Sequence, residues 1–141
     1  MRMVSPERTR VLRHAVLRPH QELAALAGSE PPGAFAVGAF EEGELISVGL
    51  IGPEGEPGAW RVRGMATVAH ARRRGAGSAV LAALVGHAEQ AGAVRIWCNA
   101  RTPALSLYER AGFRSTSEEF EIPGIGPHFV MERRTPAPGQ D

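Results

Sequence analysis

A cluster of arginines and glycines lies where a strand-like run gives way to a helical pattern, and this cluster has the chemistry of an anion site. It follows the strand-like residues 60–68. Beyond it, apolar residues recur with a period near 3.6, as on one face of a helix. The first amides of a helix have no intrahelical partner and lie at the positive end of its dipole. The pattern therefore predicts a diphosphate-binding turn made by Arg72, Arg73, Arg74, Gly75, Ala76, Gly77 and Ser78.

The local sequence leaves two interpretations of this turn open. The nucleoside-triphosphate loop GxxxxGK[ST] is excluded because the chain contains no lysine. The dinucleotide pattern GxGxxG is also missing, since Val80 stands where its third glycine would be. Besides a diphosphate site, the residues fit a solvated arginine cluster that caps an ordinary helix.

Length and composition narrow the class of protein. A chain of 141 residues with 43% hydrophobic residues predicts one globular domain, over residues 1–134, followed by a disordered tail at 135–141. The net charge of +1 argues against a nucleic-acid-binding protein, and no apolar run is long enough for a membrane partner. We see no secretory signal, and Cys98 is the one cysteine, so we expect no disulfide and a cytoplasmic location.

The order of predicted elements indicates an α/β (α+β) fold with a sheet of mixed direction. Residues 1–8 read as a loose lead-in, and Thr102-Pro103 is expected to open the second long helix with the threonine as its cap. A strand–helix–strand unit in the middle predicts two parallel strands. The predicted strands are 9–17, 34–40, 45–51, 60–68, 93–98, 113–122 and 127–133, and the predicted helices are 21–27, about 75–92 and 102–110.

Two blocks resemble one family. Arg72-x-x-Gly75-x-Gly77, preceded by the strand Met65-Ala66-Thr67-Val68, resembles the coenzyme-A signature (Q/R-x-x-G-x-G/A) of the GNAT superfamily of N-acetyltransferases. Residues 105–113, with Tyr108 just before Gly112-Phe113, resemble a second block of that family. The resemblance covers nearly the whole chain. It implies the GNAT acyl-CoA N-acyltransferase fold, a mixed six- to seven-stranded sheet with flanking helices, in a small bacterial single-domain member.

The resemblance also implies a cosubstrate and the residues that hold it. Acetyl-CoA would place its diphosphate on residues 72–78, and no metal is expected. The backbone of Met65, Ala66 and Thr67 would pair with the pantetheine where this strand separates from the next one, and one amide there would polarise the acetyl carbonyl. Asn99, at the end of strand 93–98, would bind coenzyme or substrate; the alternative is that it caps a turn.

Tyr108 is the first expected catalytic residue. In the family the tyrosine hydroxyl lies near the coenzyme sulfur and supports the departing thiolate. From the residues alone, the alternative is a core ring packed on Phe113. Cys98 has apolar neighbours, which favours a buried, inert thiol over an acyl-enzyme nucleophile.

The general base is expected on the last hairpin, because the strand at 60–64 carries no acid. Candidates are Glu119 and His128, with Glu118 and Glu121 nearby. The run Gly124-Ile125-Gly126-Pro127-His128 resembles a small bacterial GNAT branch with an acidic-Gly-Ile-Pro-His hairpin, although Gly126 is one residue more than that pattern has. A surface histidine is the alternative for His128, and the other histidines have no metal-like spacing.

Two functions follow. The first is an acetyltransferase that moves an acetyl group from acetyl-CoA to a primary amine, on a small molecule or a protein. The second is a non-catalytic acyl-CoA sensor of the same fold, motivated by the missing acid. The resemblance also makes a homodimer plausible, whereas neither nucleic acid nor a membrane is an expected partner.

Overall fold

The computed structural model describes residues 2–5, 33–69 and 75–135. In these ranges the chain forms eight strands and two α-helices. The helices are α1, Ala76–Gln90, and α2, Leu105–Arg110, the latter preceded by a 3-10 turn at Thr102–Ala104. The strands are β1 Arg2–Val4, β2 Phe35–Glu41, β3 Glu44–Pro53, β4 Ala59–Thr67, β5 Arg95–Arg101, β6 Arg114–Ser115, β7 Phe120–Ile122 and β8 Gly126–Arg134.

The strands make one sheet in the order β1-β2-β3-β4-β5-β8-β6, and β7 pairs with β8 beside β6. Among the paired strands of the described ranges, only β4 and β5 run parallel. Helix α1 connects these two, as a parallel pair requires a crossover. The predicted mixed sheet is confirmed, with one or two strands more than the expected six to seven.

Helix α1 packs its apolar stripe on one face of the sheet, which we call the helix face. The buried residues of α1 are Val80, Leu81, Leu84, Val85 and Ala88, at the spacing that the sequence predicted. Strand alternation turns Ile96, Cys98 and Ala100 of β5 toward this core and Trp97 and Asn99 away from it. We call the second side of the sheet the opposite face. Burial of each large apolar side chain in such a core stabilises the fold by about 1.5–3 kcal/mol.

Several predicted element ends are corrected. The loose lead-in predicted for residues 1–8 is wrong at Arg2–Val4. This strand pairs antiparallel with β2, and Val4 is buried. Thr135 was assigned to the tail, yet its amide donates to the Val94 carbonyl at 3.0 Å. The predicted strand 9–17 and helix 21–27 lie outside the described residues, as does the rest of the tail.

The single predicted strand at 113–122 is also wrong, because two short strands replace it. β6 ends at Ser115 and β7 begins at Phe120, and both pair with β8. Between them the Ser117 hydroxyl accepts the Val130 N–H at 2.9 Å, in place of a backbone carbonyl. A side chain that takes over a ladder bond ends the regular pairing locally.

Neither helix of the described ranges has the length and hydropathy to cross a membrane. The longer one, α1, has 15 residues, whereas a bilayer-spanning helix needs about 20.

Glu132 on β8 is a buried carboxylate held by two arginines. Its Oε2 accepts from Arg95 Nε at 2.7 Å and its Oε1 from Arg134 Nε at 3.3 Å. The hydrogen bond from Arg95 lowers the pKa of Glu132 below its ordinary value of 4.5; burial opposes this, and Arg134 adds to it. The ionised form is therefore favoured in the folded protein.

We expect Glu132→Gln to lower the free energy of unfolding by about 1–2 kcal/mol near neutral pH. Because the folded pKa is depressed, the contribution of Glu132 is complete above pH 4.5 and is lost as the pH falls through the folded pKa. Urea unfolding of both proteins between about pH 3 and pH 7 measures this. A difference that stays constant into acid would contradict the role of the charge and point to packing instead.

Candidate active site

The start of helix α1 presents backbone amides without intrahelical acceptors next to the end of β4. The first intrahelical bond runs from the Ala79 N–H to the Gly75 carbonyl at 3.0 Å, so the amides of Ala76, Gly77 and Ser78 have no acceptor within the helix. Gly75 has a φ of +83°, where a side chain is strained, and a Cβ there would have no atom within 4 Å. This open, positive helix end fits the diphosphate of a nucleotide.

Arg72, Arg73 and Arg74 lie outside the described residues, so their expected part in this turn stays a prediction. Ser78 is exposed, while Ala76 and Gly77 are half-buried. A Cβ on Gly77 would lie 3.4 Å from Thr67 Oγ1. The helix start therefore approaches the end of β4 closely.

Strands β4 and β5 separate after a short paired stretch. Their pairs run from Ala59–Arg95 to Arg61–Trp97, although β4 continues to Thr67 and β5 to Arg101. Beyond Arg61 and Trp97 the two strands leave a gap in the sheet, which we call the cleft. An ordinary fully paired strand, the alternative to a pantetheine site, would leave no such gap.

A β-bulge lies on β4 beside the cleft. Arg63 pairs with Leu50 of β3 and Ala66 with Val48, so Gly64 and Met65 together face Gly49. Gly64 has a φ of +62°, which favours glycine. A bulge removes one residue from the ladder and re-aims its backbone groups. Met65, at the bulge, thus has backbone groups suited to bind a ligand in the cleft.

Tyr108 of α2 is buried on the helix face, where its ring packs edge-on against Phe113 with centroids 5.4 Å apart. Its hydroxyl is in hydrogen-bonding range of the Cys98 thiol. Burial, followed by the neighbouring Cys98, raises the pKa of Tyr108 well above its ordinary value. The hydroxyl therefore stays protonated at physiological pH and can donate a hydrogen bond.

Cys98 is buried beside Tyr108. Burial raises the pKa of the thiol to about 12, although the charge of Arg61 and a hydrogen bond with Tyr108 oppose the rise. A thiol with this pKa holds its proton near neutral pH and is a poor nucleophile. The structure thus favours the inert thiol over an acyl-enzyme.

His128 of β8 is buried, which rules out the alternative of a surface histidine. Its Nδ1 lies 2.8 Å from the Gly126 carbonyl, and since a carbonyl only accepts, Nδ1 carries the hydrogen. In the neutral ring the lone pair is then on Nε2. Gly126 has a φ of +121° and pairs with Ile122 at the start of β8. The extra glycine thus closes the hairpin and fixes the histidine ring.

Glu119 is exposed between β7 and β6 and accepts a hydrogen bond from the Thr102 hydroxyl at 2.9 Å. Thr102 is therefore not the helix cap that the sequence predicted: Arg101 occupies that position and its side chain makes no cap bond. Thr102 follows β5 directly, so Glu119 ties the last hairpin to the end of this strand.

The structure divides the predicted site residues between the two faces of the sheet. Tyr108 lies on the helix face. Asn99 points away from the Cys98 side of β5 and its backbone pairs with Val130, and His128 pairs with Arg101 on the same face as Asn99. The sheet therefore lies between these two groups.

Sequence reasoning missed a charged cluster at the base of the cleft. Glu54, in the turn before β4, accepts from Arg61 Nη1 at 2.8 Å and from Arg63 Nη2 at 3.0 Å. Partial burial would raise the pKa of Glu54, but Arg61 and then Arg63 outweigh it and lower the pKa. The alternation of Arg61 and Arg63 on one strand was a signal that both share a face.

In the described residues no group of three or more histidine, cysteine, aspartate or glutamate side chains could hold a metal ion. The features of the site are therefore the cleft, the first amides of α1 and the protonated Tyr108 hydroxyl.

Comparison with known proteins identifies the family. The sequence profile described as the acetyltransferase (GNAT) family matches residues 4–113. The chain belongs to the GNAT family. A curated GNAT relative, the uncharacterized N-acetyltransferase YitI of Bacillus subtilis strain 168, is 38% identical over 142 residues, which cover 93% of each protein. The protein is therefore an acyltransferase, and the predicted family is confirmed.

Solved structures show the same fold. Escherichia coli ElaA superposes with a TM-score of 0.76 at 16% identity, covering 93% of each chain. A Bacillus subtilis acetyltransferase, solved in complex with CoA, has a TM-score of 0.69 at 16% identity and covers 95% of this chain and 98% of its own. At these identities the structures support the GNAT fold alone. GNAT proteins use acetyl-CoA with an acceptor substrate.

Proposed function

We propose that the protein transfers an acetyl group from acetyl-CoA to a primary amine by direct attack. The observation that carries the proposal is the cleft between β4 and β5, which has the first amides of α1 at one end and the buried Tyr108 on the helix face beside it. An extended ligand in this cleft would form hydrogen bonds with the backbone of the two strands. The position of the cleft matches a thioester donor with a nucleotide at its far end.

The reaction breaks one bond and forms one. The amine nitrogen attacks the thioester carbonyl carbon, the carbon–sulfur bond breaks, and the products are an amide and a thiol. Tyr108 would donate its hydroxyl hydrogen bond to the departing sulfur. A backbone amide at Met65 would stabilise the charge that develops on the carbonyl oxygen.

His128 is our proposed base for the attacking amine. Its Nδ1 is fixed by Gly126, which leaves Nε2 to accept a proton. Glu119, bound to Thr102, would help to form the acceptor side. Glu54 contacts two arginines of β4, which stabilise its ionised form and make it a poor base.

Cosubstrate binding would involve residues 72–78, the backbone of β4 and the side chain of Asn99 on β5. The diphosphate would lie on the start of α1 with Arg72, Arg73 and Arg74, and the pantetheine amides would lie along β4. Asn99 would face the reacting end. We further propose a single domain over residues 1–134 and a cytoplasmic location, in keeping with the free, buried Cys98. The residues assigned to the cosubstrate are Met65, Ala66, Thr67, Arg72, Arg73, Arg74, Gly75, Ala76, Gly77, Ser78 and Asn99.

Mixing the protein with acetyl-CoA and a panel of amines, while following free thiol, tests this proposal. Amine-dependent thiol release together with acetylated amine in the mass spectrum is the expected result. The competing function is an acyl-CoA sensor, favoured by the absence of an acid on β4 and by the ion-paired Glu54. A sensor would bind CoA in calorimetry, release no thiol with any amine, and be indifferent to Tyr108→Phe.

A further inference from the structure

Among the residues that the structure describes, the base of the cleft holds more positive than negative charge. Arg61 and Arg63 share the single carboxylate of Glu54. Arg63 uses its Nε and Nη2 for this contact, so Nη1 takes no part in it. Within the described ranges, the Nε–H of Arg61 is buried and has no acceptor. A buried donor without a partner is uncommon in proteins and calls for an explanation.

The surrounding charges on this face are matched. Arg95 binds Glu132 at 2.7 Å and Glu56 at 3.4 Å, and Arg134 binds Glu132 at 3.3 Å. Two arginines thus meet two glutamates there, whereas two arginines meet one glutamate at the base of the cleft. Within residues 2–5, 33–69 and 75–135, the unmatched charge is therefore on the arginines of β4.

Trp97 fixes the geometry of this pair. The guanidinium carbon of Arg61 lies 4.8 Å from the centre of the Trp97 ring, a cation–π contact. The indole N–H donates to the Glu54 carbonyl at 2.9 Å. Arg61 is therefore held rigid, while the Arg63 side chain keeps 36% of its surface exposed and can reach a ligand.

Arg61 and Arg63 lie at the end of the cleft that is away from the start of α1, where an acceptor could bind. Arg61 belongs to the last residue pair before the strands separate. Arg63 is the next residue of β4 that points to the opposite face, as Arg61 does. It precedes Met65 by two residues, which is about 7 Å along the strand. The start of α1 follows Thr67, about 20 Å along β4 from Arg61. The cosubstrate diphosphate would bind at that far end and could not neutralise these arginines.

We propose that Arg63, supported by Arg61, binds a carboxylate of the acceptor, so that the substrate class is amines that carry a carboxylate, such as free amino acids. The proposal rests on the proposed acetyl transfer. Arginine and carboxylate form a paired, charge-assisted hydrogen bond, and the Arg63 Nη1–H groups, which take no part in the contact with Glu54, supply its donors.

The first experiment compares amines with and without a carboxylate. Glycine, β-alanine and L-leucine are each tested against their amides, with rates corrected for the fraction of neutral amine. For the protein, kcat/KM is expected to be about 10- to 100-fold higher for the carboxylates. Arg63→Gln should abolish this ratio by slowing the carboxylates only. Arg134→Gln, an exposed arginine on the same face, should leave it intact.

Two further variants separate recognition from folding. Arg63→Lys keeps the charge without the fork and should retain part of the ratio. Glu54→Gln removes the competing carboxylate and should lower KM for the carboxylates, a change that misfolding would not produce. Equal kcat/KM for carboxylates and amides in the unaltered protein would overturn the proposal, as would an unchanged ratio in Arg63→Gln.

A binding experiment distinguishes this proposal from failure of the proposed function. If no amine is acetylated, L-leucine and N-acetyl-L-leucine are titrated into the protein with CoA, by calorimetry. Saturable binding that Arg63→Gln abolishes and Arg134→Gln preserves would support the carboxylate site without catalysis. Absence of binding by both ligands would overturn the site itself.

Discussion

Replacing Tyr108 by phenylalanine is expected to lower kcat about 10- to 100-fold and to leave the Kd for CoA within about twofold. The hydroxyl is protonated because burial raises its pKa, so the change removes a donor from the departing sulfur. The loss is limited because a thiol with a pKa of about 8.5 is already a fair leaving group. Steady-state kinetics and CoA calorimetry on the same preparation measure both quantities.

Ser106→Ala is the matched control for this substitution. It removes a hydroxyl from the same helix, but Ser106 is exposed, so kcat should not change. Tyr108→Phe keeps the ring that packs on Phe113, so its melting temperature should stay close to that of the unaltered protein. An unchanged kcat would show that Tyr108 is only a core residue.

Gly49→Ala is expected to cost about 1–3 kcal/mol of stability and to reduce acetyl transfer. A Cβ at this position would meet Met65 Sδ and would lie 2.8 Å from Leu84 Cδ1. Met65 is part of the bulge, and its side chain must shift to relieve the contact, which disturbs the packing beside the cleft. Thermal unfolding and the thiol-release rate report the two effects.

Gly86→Ala is the control for a glycine of the same chain. Gly86 lies inside α1, and a Cβ there would have no atom within 4 Å. Alanine is the better helix residue, so this variant should gain about 0.5–1 kcal/mol and keep its activity. If Gly49→Ala kept full stability and activity, as Gly86→Ala should, the close packing at the bulge would not be needed for function.

The sequence predicted those parts of the fold that depend on local patterns. The 3.6-residue spacing of Val80, Leu81 and Leu84 predicted α1 and the face that it buries. The polar turn at residues 41–44 predicted the β2–β3 hairpin, which turns through Glu42 and Gly43, both with positive φ. Neighbours in sequence determine these features, so a single chain suffices to predict them.

Features that depend on distant partners were not predicted. Strand β1 has three residues and exists because β2 offers it an edge. The break between β6 and β7 depends on Ser117 reaching Val130. Thr102 has the residue type and position of a cap, but its hydroxyl binds Glu119 instead. In each case a tertiary partner outweighs the local preference.

The candidate site shows the same division. The turn before α1 and the position of Tyr108 follow from short motifs. The burial of His128 and its bond to Gly126 depend on how the last hairpin folds back. The Glu54 cluster joins a turn, β4 and β5. No local pattern relates residues from three elements, so this cluster could be found only in three dimensions.

The short paired stretch between β4 and β5 has a consequence for folding. Strands β2 to β4 form a meander whose contacts are close in sequence, and β5 to β8 form a second local unit. The parallel junction is the long-range step, and its loop-closure entropy must be met with few ladder bonds. Side chains of both units share one core on the helix face, and this packing therefore has to provide most of the free energy that joins them. A cosubstrate bound between β4 and β5 would supply hydrogen bonds to both strands where they do not pair with each other. The stability of the folded protein would then rise with the cosubstrate concentration.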